Sequence, residues 1–189
     1  MQKVYFVRHG ETVWNVENKI CGATESPLTA RGIQQARAIG REIRARRDAG
    51  ELQMDWILCS PLGRAKQTAE EIAAILELPL RVEPRLREQN FGIWESTPRD
   101  GEGFRHAKEH FIDSFGTGES MFRVAQRVYN LLDDVREDTA HTYLLVAPNG
   151  ISRIVESYFR DMKNTEFAAF GIQNAALRTY TFSKVQIKG

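Results

Sequence analysis

The sequence predicts an α/β fold, a three-layer sandwich in which a mostly parallel sheet lies between helices on both faces, with a small lid insertion. Short β-branched and aromatic runs alternate along the chain with segments whose apolar residues recur at helical spacing. The chain has 189 residues, 42% of them hydrophobic and 27% charged. That length suits one domain over residues 1–189 with a core that needs no disulfides.

The first half of the chain supplies two strands and two helices. Residues 3–7, KVYFV, predict a strand buried on both faces, because they form a continuous β-branched and aromatic run. Thr29 is placed to cap a long helix. The apolar residues of this helix near helical spacing are Ile33, Ala36, Ile39 and Ile43. Residues 55–60, DWILCS, predict a second strand, and a second helix follows over about residues 63–78.

The second half begins less regularly. Residues 80–86, LRVEPRL, predict a short extended piece that Pro84 interrupts. Residues 91–117 show no clear period, and so long an irregular stretch is uncommon unless it is functional, so we expect a lid over a site. Ser120 is placed to cap a helix with an apolar stripe. The stripe comprises Met121, Val124, Ala125, Val128, Leu131, Leu132 and Val135. The remaining predicted elements are a strand over 142–147, a helix over 150–162 and a strand over 176–183.

Three loops are the expected ligand site, because ligands bind at the carboxyl ends of parallel strands. These loops follow Val7, Cys59 and Ala147. The first begins with Arg8 and His9. Arginine offers a planar fork of donors that suits phosphate oxygens, and histidine titrates near neutrality and can act as a nucleophile.

The neighbouring polar residues complete an anion pocket. Asn15 adds an amide donor, and Arg64 lies at a helix start, where backbone donors also favour an anion. Glu88 follows a strand fragment and is a candidate proton donor. Other interpretations of these residues stay open: Arg64 pairing along its helix with Glu70 or Glu71, and Glu88 as a solvated carboxylate.

The overall composition argues against several classes of partner. A formal net charge of +1 gives no drive toward nucleic acid or an acidic membrane. No apolar run approaches the ~20 residues that span a bilayer. The N-terminal segment shows no signal-peptide pattern, so we expect a cytoplasmic protein. His106, His110 and His141 lack the spacing of metal ligands, and oligomeric state is not predicted.

Five segments between residue 4 and about residue 153 carry a joint resemblance. They are RHGETVWN with SPLTARGIQQA, CSPLGRAKQTA, LREQNFGIWE, GES and LLVAPNGISR. Together they resemble the motifs of the histidine phosphatase superfamily, also called the phosphoglycerate mutase-like family, and Asn174 before the final strand also fits. The resemblance covers nearly the whole chain and would be hard to obtain by chance.

The resemblance implies roles for four of the residues above. His9 would be the nucleophile that takes the phosphoryl group and passes it to water, and Arg8 and Arg64 would bind the phosphate oxygens. Glu88 would protonate the leaving oxygen and then activate water. The implied substrate is a small phosphate ester, and no metal or other cofactor is implied because the arginines compensate the charge.

The resemblance also bears on the substrate side. Asn15 would hydrogen-bond the phosphate, and Cys21 and Gly22 occupy positions that line the substrate side in mutase members. Only about thirty residues separate Glu88 from Gly118. Mutase members carry longer insertions that exclude water, so the short lid favours hydrolysis over phosphoryl return. Phosphoglycerate-mutase-type transfer remains the alternative.

Pro148 is the departure from the family pattern, because it stands where members have a second histidine. Proline has no side-chain donor and no backbone N–H. Losing one preorganised donor costs ~10²–10³ in rate, so we expect impaired or modified activity. Proline is permitted in a turn and at a first helical position, so the fold should survive.

Three interpretations of Pro148 stay open. In the first, catalysis is weak, or it is rerouted through His106 or His110. In the second, the chain binds a phosphorylated ligand or a protein partner without turnover. In the third, position 148 has changed in a parent enzyme that is otherwise active. The other site residues are all retained, which weighs against long decay. Basic residues in the lid hint at anionic substrates; they are Arg99, Arg105, His106 and Lys108.

Overall fold

The computed structural model describes residues 2–182. Within them, one five-stranded sheet has the order β3-β2-β4-β1-β5. The strands are β1 Lys3–Arg8, β2 Trp56–Cys59, β3 Leu80–Val82, β4 Tyr143–Ala147 and β5 Leu177–Thr181. The pairs β1–β4, β2–β4 and β2–β3 are parallel, and β5 runs antiparallel to β1. The predicted mostly parallel sheet is therefore confirmed. The predicted final strand reaches one residue, Ser183, outside the described part of the chain.

The helices cover both faces of the sheet. They are α1 Val13–Val16, α2 Ala30–Asp48, α3 Gly63–Leu76, α4 Glu102–Ala107, α5 Met121–Glu137, α6 Asn149–Phe159 and α7 Asn164–Ala169. Alternate residues of β1 enter two cores. Val4 and Phe6 pack with α5 and α6, whereas Tyr5 and Val7 pack with α2 and α3. All four side chains are buried, as expected for a strand covered on both sides.

Helix ends show where local signals succeed. Thr29 caps α2, because its hydroxyl accepts a hydrogen bond from the amide of Gly32 at 3.0 Å. Ser120 occupies the N-cap position of α5, but its side chain accepts no capping bond. The second predicted helix is two residues too long, because Glu77 takes a left-handed conformation with φ of 56°. The predicted helix over 150–162 is wrong at its end, since Arg160 is extended.

The lid over residues 91–117 has more structure than the sequence indicates. It contains a 3₁₀ turn at Gly92–Trp94 and the short helix α4. Its apolar side chains form a separate small core, in which the rings of Phe91 and Phe104 meet edge to face at 5.3 Å. Elements of this length are too short to show a period, whereas tertiary burial of their aromatic residues stabilises them. No helix among residues 2–182 has the length and apolarity needed to cross a membrane.

Candidate active site

A cavity of about 170 Å³ lies where the carboxyl ends of the parallel strands meet the lid. Six of the predicted site residues line it: Arg8, His9, Asn15, Cys21, Arg64 and Glu88. They come from the end of β1, the segment after it, the first turn of α3 and the segment after β3. The sheet therefore brings together residues that lie up to 80 positions apart in the sequence.

His9 directly follows β1 and is 4% exposed. Its Nδ1 lies 2.7 Å from the carbonyl oxygen of Gly10. A carbonyl oxygen can only accept, so Nδ1 carries the proton and Nε2 keeps its lone pair. Burial, and then the charges of Arg64 and Arg8, hold the pKa of His9 well below its ordinary value. The ring is therefore neutral at neutral pH, with Nε2 left for a ligand.

Two guanidinium groups flank this histidine. Arg64 is 1% exposed and donates to the carbonyl oxygens of Thr24, Gly22 and Cys21 at 2.9, 2.8 and 3.2 Å. Arg8 donates to the carbonyl oxygen of Ile172 at 2.6 Å. Both Nε atoms are buried and lack a hydrogen-bond partner among the described residues. Each arginine is thus fixed by neutral carbonyls and keeps donors for an anion.

The alternative pairing of Arg64 along its own helix is not found. Glu71 instead forms an ion pair with Arg37 at 2.8 Å. Glu70 lies 3.9 Å from Lys66. Burial is the main cause that lowers the pKa of Arg8, to about 10, so its guanidinium stays protonated at neutral pH.

Asn15 is oriented by its neighbours. Its Oδ1 accepts hydrogen bonds from the amide of Thr12 at 3.1 Å and from Nδ2 of Asn174 at 3.2 Å. Because both bonds go to the oxygen, the amide nitrogen of Asn15 remains a free donor. Asn174 also donates to the carbonyl oxygen of His9 at 2.9 Å. One residue near β5 therefore positions two residues of the site.

Glu88 is held by the start of α6. Glu88 is 4% exposed. Its Oε2 accepts a hydrogen bond from the backbone amide of Gly150 at 2.8 Å, and its Oε1 accepts one from the backbone amide of Gln89 at 3.0 Å. A Cβ at position 150 would lie 2.1 Å from Oε1, so only glycine permits this approach. The interpretation of Glu88 as a solvated surface carboxylate is therefore wrong.

Cys21 and Gly22 differ in their placement. Cys21 lines the cavity, and burial raises the pKa of its thiol to about 11, so it is a neutral wall residue. Gly22 does not line the cavity; its carbonyl holds Arg64, and a Cβ there would meet the carbonyl oxygen of Gln89 at 2.2 Å. The carboxylate of Glu95, a lid residue, accepts a hydrogen bond from the backbone amide of Gly22 at 3.0 Å. This bond ties the segment around Gly22 to the lid.

Pro148 is the N-cap of α6, one position before the first helical residue. Its φ of −69° is the value that the pyrrolidine ring imposes, and its ψ of 170° is extended. The pairing of β4 with β1 ends at Ala147, so the missing N–H removes no ladder bond. Pro148 does not line the cavity. It therefore fits the backbone without strain and supplies no donor.

Several cavity residues were not singled out as site residues from the sequence. Asn149 lines the cavity and is anchored by the amide of Ile172, which donates to its Oδ1 at 2.9 Å. Arg153, in the second turn of α6, also lines it. The motif contained both residues, yet only the helix direction shows which of its side chains enter the cavity.

Two basic residues of the lid line the cavity, and its other basic residues are exposed to solvent. Arg99 and Lys108 line the cavity. His106 and His110 are exposed and do not line it, so neither replaces the missing histidine in this arrangement. Arg105 is exposed as well. No metal-binding group of three or more histidine, cysteine, aspartate or glutamate residues occurs in the described part of the chain.

Comparison with known proteins gives matches over nearly the whole sequence. Residues 4–188 match the family described as the histidine phosphatase superfamily (branch 1). A protein of Yersinia pestis (strain Pestoides F) that carries the name Probable phosphoglycerate mutase GpmB is 36% identical over 159 residues. The match spans 80% of this chain and 71% of that protein.

Solved structures share the fold. A mycobacterial glucosyl-3-phosphoglycerate phosphatase has a TM-score of 0.80 at 25% identity, covering 95% of this chain and 90% of its own. The α-ribazole phosphatase from Shigella flexneri has a TM-score of 0.79 at 25% identity, covering 97% and 92%. A mutant phosphoserine phosphatase from Entamoeba histolytica in complex with phosphoserine has a TM-score of 0.78 at 27% identity, with the same coverage. This chain is therefore similar to these proteins over its full architecture.

Proposed function

Because this chain belongs to the histidine phosphatase superfamily, a family of enzymes, we propose that it hydrolyses phosphate monoesters of small metabolites through a phosphohistidine at His9. The observation that carries the proposal is the state of this ring. Its Nδ1 donates to the carbonyl oxygen of Gly10 at 2.7 Å, which leaves an unprotonated Nε2 beside Arg8 and Arg64. A neutral nucleophile next to fixed cations suits attack on a phosphate dianion.

The first half-reaction transfers the phosphoryl group to the protein. Nε2 of His9 attacks phosphorus, the bond to the ester oxygen breaks, and a P–N bond forms. Arg8, Arg64 and the free amide of Asn15 stabilise the charge on the equatorial oxygens. Glu88, which also lines the cavity, gives its proton to the leaving oxygen.

The second half-reaction returns the site to its starting state. Water attacks the phosphoryl group, Glu88 takes a proton from that water, and the P–N bond breaks to release inorganic phosphate and neutral His9. The cavity of about 170 Å³ is smaller than the ~300–1,000 Å³ sites of larger ligands, which supports a small ester as substrate.

The alternative is a mutase-type reaction, in which the phosphoryl group on His9 is transferred back to a substrate molecule instead of to water. The name of the 36% identical relative favours this alternative. The three structural neighbours described above carry phosphatase names. The short lid supports water as the acceptor. Release of inorganic phosphate against formation of a phosphate isomer separates the two reactions.

We expect Pro148 to limit the rate. The cap position contributes no imidazole donor, and a preorganised donor is worth ~10²–10³ in rate. The guanidinium groups that remain still compensate the charge of the bound phosphate. The chain is therefore expected to turn over slowly and to be improved by a histidine at this position.

The test measures phosphate release from p-nitrophenyl phosphate and traps the intermediate. We expect this chain to form an acid-labile phosphoryl adduct that a His9→Ala variant cannot form, and Pro148→His to raise the turnover. Turnover that survives His9→Ala would contradict the proposed nucleophile. If this chain and Pro148→His are both silent toward a broad panel of esters, the fold serves to bind a phosphorylated ligand or a partner.

A further inference from the structure

Arg64 is held by one short bend of the chain, residues 21–24. Its guanidinium donates to the carbonyl oxygens of Cys21, Gly22 and Thr24 at 3.2, 2.8 and 2.9 Å. The arginine is 1% exposed, and among the described residues no carboxylate lies within ion-pair distance of it. The position of this buried cation therefore depends on what holds the bend.

Glu95, in the lid, binds the same bend. Its carboxylate accepts hydrogen bonds from the backbone amides of Gly22 and Ala23, each at 3.0 Å, and from the hydroxyl of Thr24 at 2.7 Å. A fourth bond comes from the backbone amide of Phe91 at 2.9 Å. In the described part of the chain Glu95 takes part in no ion pair, so these four donors stabilise its charge.

Two peptide groups of the bend lie between Arg64 and Glu95. The group that joins Cys21 to Gly22 directs its carbonyl oxygen at the cation and its N–H at the carboxylate. The group that joins Gly22 to Ala23 does the same. Both groups are trans, so their C=O and N–H bonds point in opposite directions. Each peptide dipole therefore has its negative end at the cation and its positive end at the carboxylate, and the hydrogen bonds on its two sides strengthen each other.

The local backbone permits this arrangement. A Cβ at position 22 would collide with Oε1 of Glu95, so only glycine lets the carboxylate come this close to the bend. The amide of Ile20 donates to the carbonyl oxygen of Thr97 at 2.9 Å, and the amide of Ser96 donates to the carbonyl oxygen of Ile20 at 3.0 Å. The lid is therefore fastened to the chain just before the bend, which fixes the position of Glu95.

We infer that Glu95 is a positioning residue: its carboxylate holds the bend at residues 21–24, and the bend holds the guanidinium of Arg64. Glu95 does not line the cavity, so it acts through Arg64 and not on the substrate. The catalytic consequence rests on the proposed function, in which Arg64 binds the phosphate oxygens. The lid then does more than cover the site, because it supplies the anion that keeps a phosphate-binding arginine in place.

The test variant is Glu95→Gln, which keeps the size of the side chain but replaces one acceptor oxygen with a donor. In either orientation, the new NH₂ group faces the amide of Gly22 or the amides of Ala23 and Phe91, so at least one bond is lost. The matched control is Glu102→Gln, which also removes a lid carboxylate, but from a side chain that is 87% exposed. Since bonds to charged groups are strong, we expect kcat/KM for p-nitrophenyl phosphate to fall on the order of tenfold in Glu95→Gln and to stay unchanged in Glu102→Gln.

A double-mutant cycle with Arg64→Gln separates positioning from a general loss of structure. If Glu95 acts through Arg64, Glu95→Gln lowers kcat/KM little further in a chain that already carries Arg64→Gln. The same fold loss in both backgrounds would overturn the positioning role, because Glu95 would then act without Arg64.

A second measurement needs no turnover. The ¹⁵N heteronuclear NOE of the Arg64 Nε–H group reports how rigidly the guanidinium is held, and its signal is assigned by its absence in Arg64→Gln. We expect this NOE to fall in Glu95→Gln and to match the parent chain in Glu102→Gln. An unchanged NOE in Glu95→Gln would overturn the positioning role. If no ester is hydrolysed by any of these chains, the proposed function fails, and the NOE alone decides the role of Glu95.

Backbone amide spectra check that each variant folds. Should Glu95→Gln not fold, Thr24→Val takes its place, because it removes the shortest of the four bonds to the carboxylate and leaves both peptide groups. A smaller fall in the NOE of Arg64 is then expected, and no change would again overturn the positioning role.

Discussion

Replacing Gly150 with alanine is expected to displace the Glu88 carboxylate. The added Cβ would lie 2.1 Å from Oε1 and 2.8 Å from Cδ of Glu88, whereas ordinary contacts begin at 3.4 Å. The carboxylate must therefore retreat by about 1.3 Å, which strains its 2.8 Å bond with the amide of residue 150. A displacement of about 1 Å at a catalytic group costs on the order of a hundredfold in rate.

The assay uses two esters with different leaving groups. p-Nitrophenolate leaves readily without a proton, whereas the alkoxide of glycerol 3-phosphate needs one. If Glu88 is the proton donor, Gly150→Ala lowers kcat/KM by about a hundredfold for glycerol 3-phosphate and much less for p-nitrophenyl phosphate. The comparison thus isolates proton donation from phosphate binding.

The control is Gly101→Ala, where a Cβ meets only the carbonyl oxygen of Pro98, at 3.4 Å. Position 150 lies inside α6, where alanine is the better helix former by about 1 kcal/mol, so propensity does not destabilise the variant. A thermal melt checks that both variants fold. Equal losses on the two esters, or no loss on either, would refute the assignment of Glu88 as the proton donor.

Three further outcomes are expected. Pro148→His should raise kcat for phosphate release by ~10²–10³. An unchanged kcat would mean that a side chain at position 148 does not stabilise the transition state. The pKa of His9 is depressed in the folded chain, so this ring takes up a proton near pH 6.5 only in the unfolded chain. The free energy of unfolding therefore falls as the pH drops below about 6.5. Urea denaturation at about pH 7.5 and about pH 5.5 should show a smaller fall in His9→Gln. Asn174→Ala removes donors to Asn15 and His9 and should lower kcat/KM roughly tenfold, while Asn164→Ala, an exposed position in α7, should not.

The regular elements were predicted largely from local pattern. The run at residues 3–7 became β1, and the stripe from Met121 to Val135 became α5, because burial of one face at a fixed period leaves a signal in the sequence. Boundaries depended on single residues instead. The left-handed Glu77 ended α3 early, although glutamate gives no sign of that conformation.

Short elements escaped prediction for a related reason. Helices α4 and α7 have six residues each, fewer than two turns, so no periodic stripe marks them. Their stability comes from what they pack against. Phe104 of α4 lies against Phe91 and Trp94 of the lid, contacts that only the folded chain brings together.

The sequence by itself determined the fold class, the strand ends where the site would form, and the residues that lie in recognisable motifs. Tertiary structure alone decided the protonation of those residues and which groups they contact. The proton on Nδ1 of His9 follows from its contact with Gly10, and Glu88 is held by an amide 62 positions away. Motifs record which residue types the chemistry needs. Burial, hydrogen bonds and net charge in the cavity depend on distances between remote segments, and a linear pattern does not contain those distances.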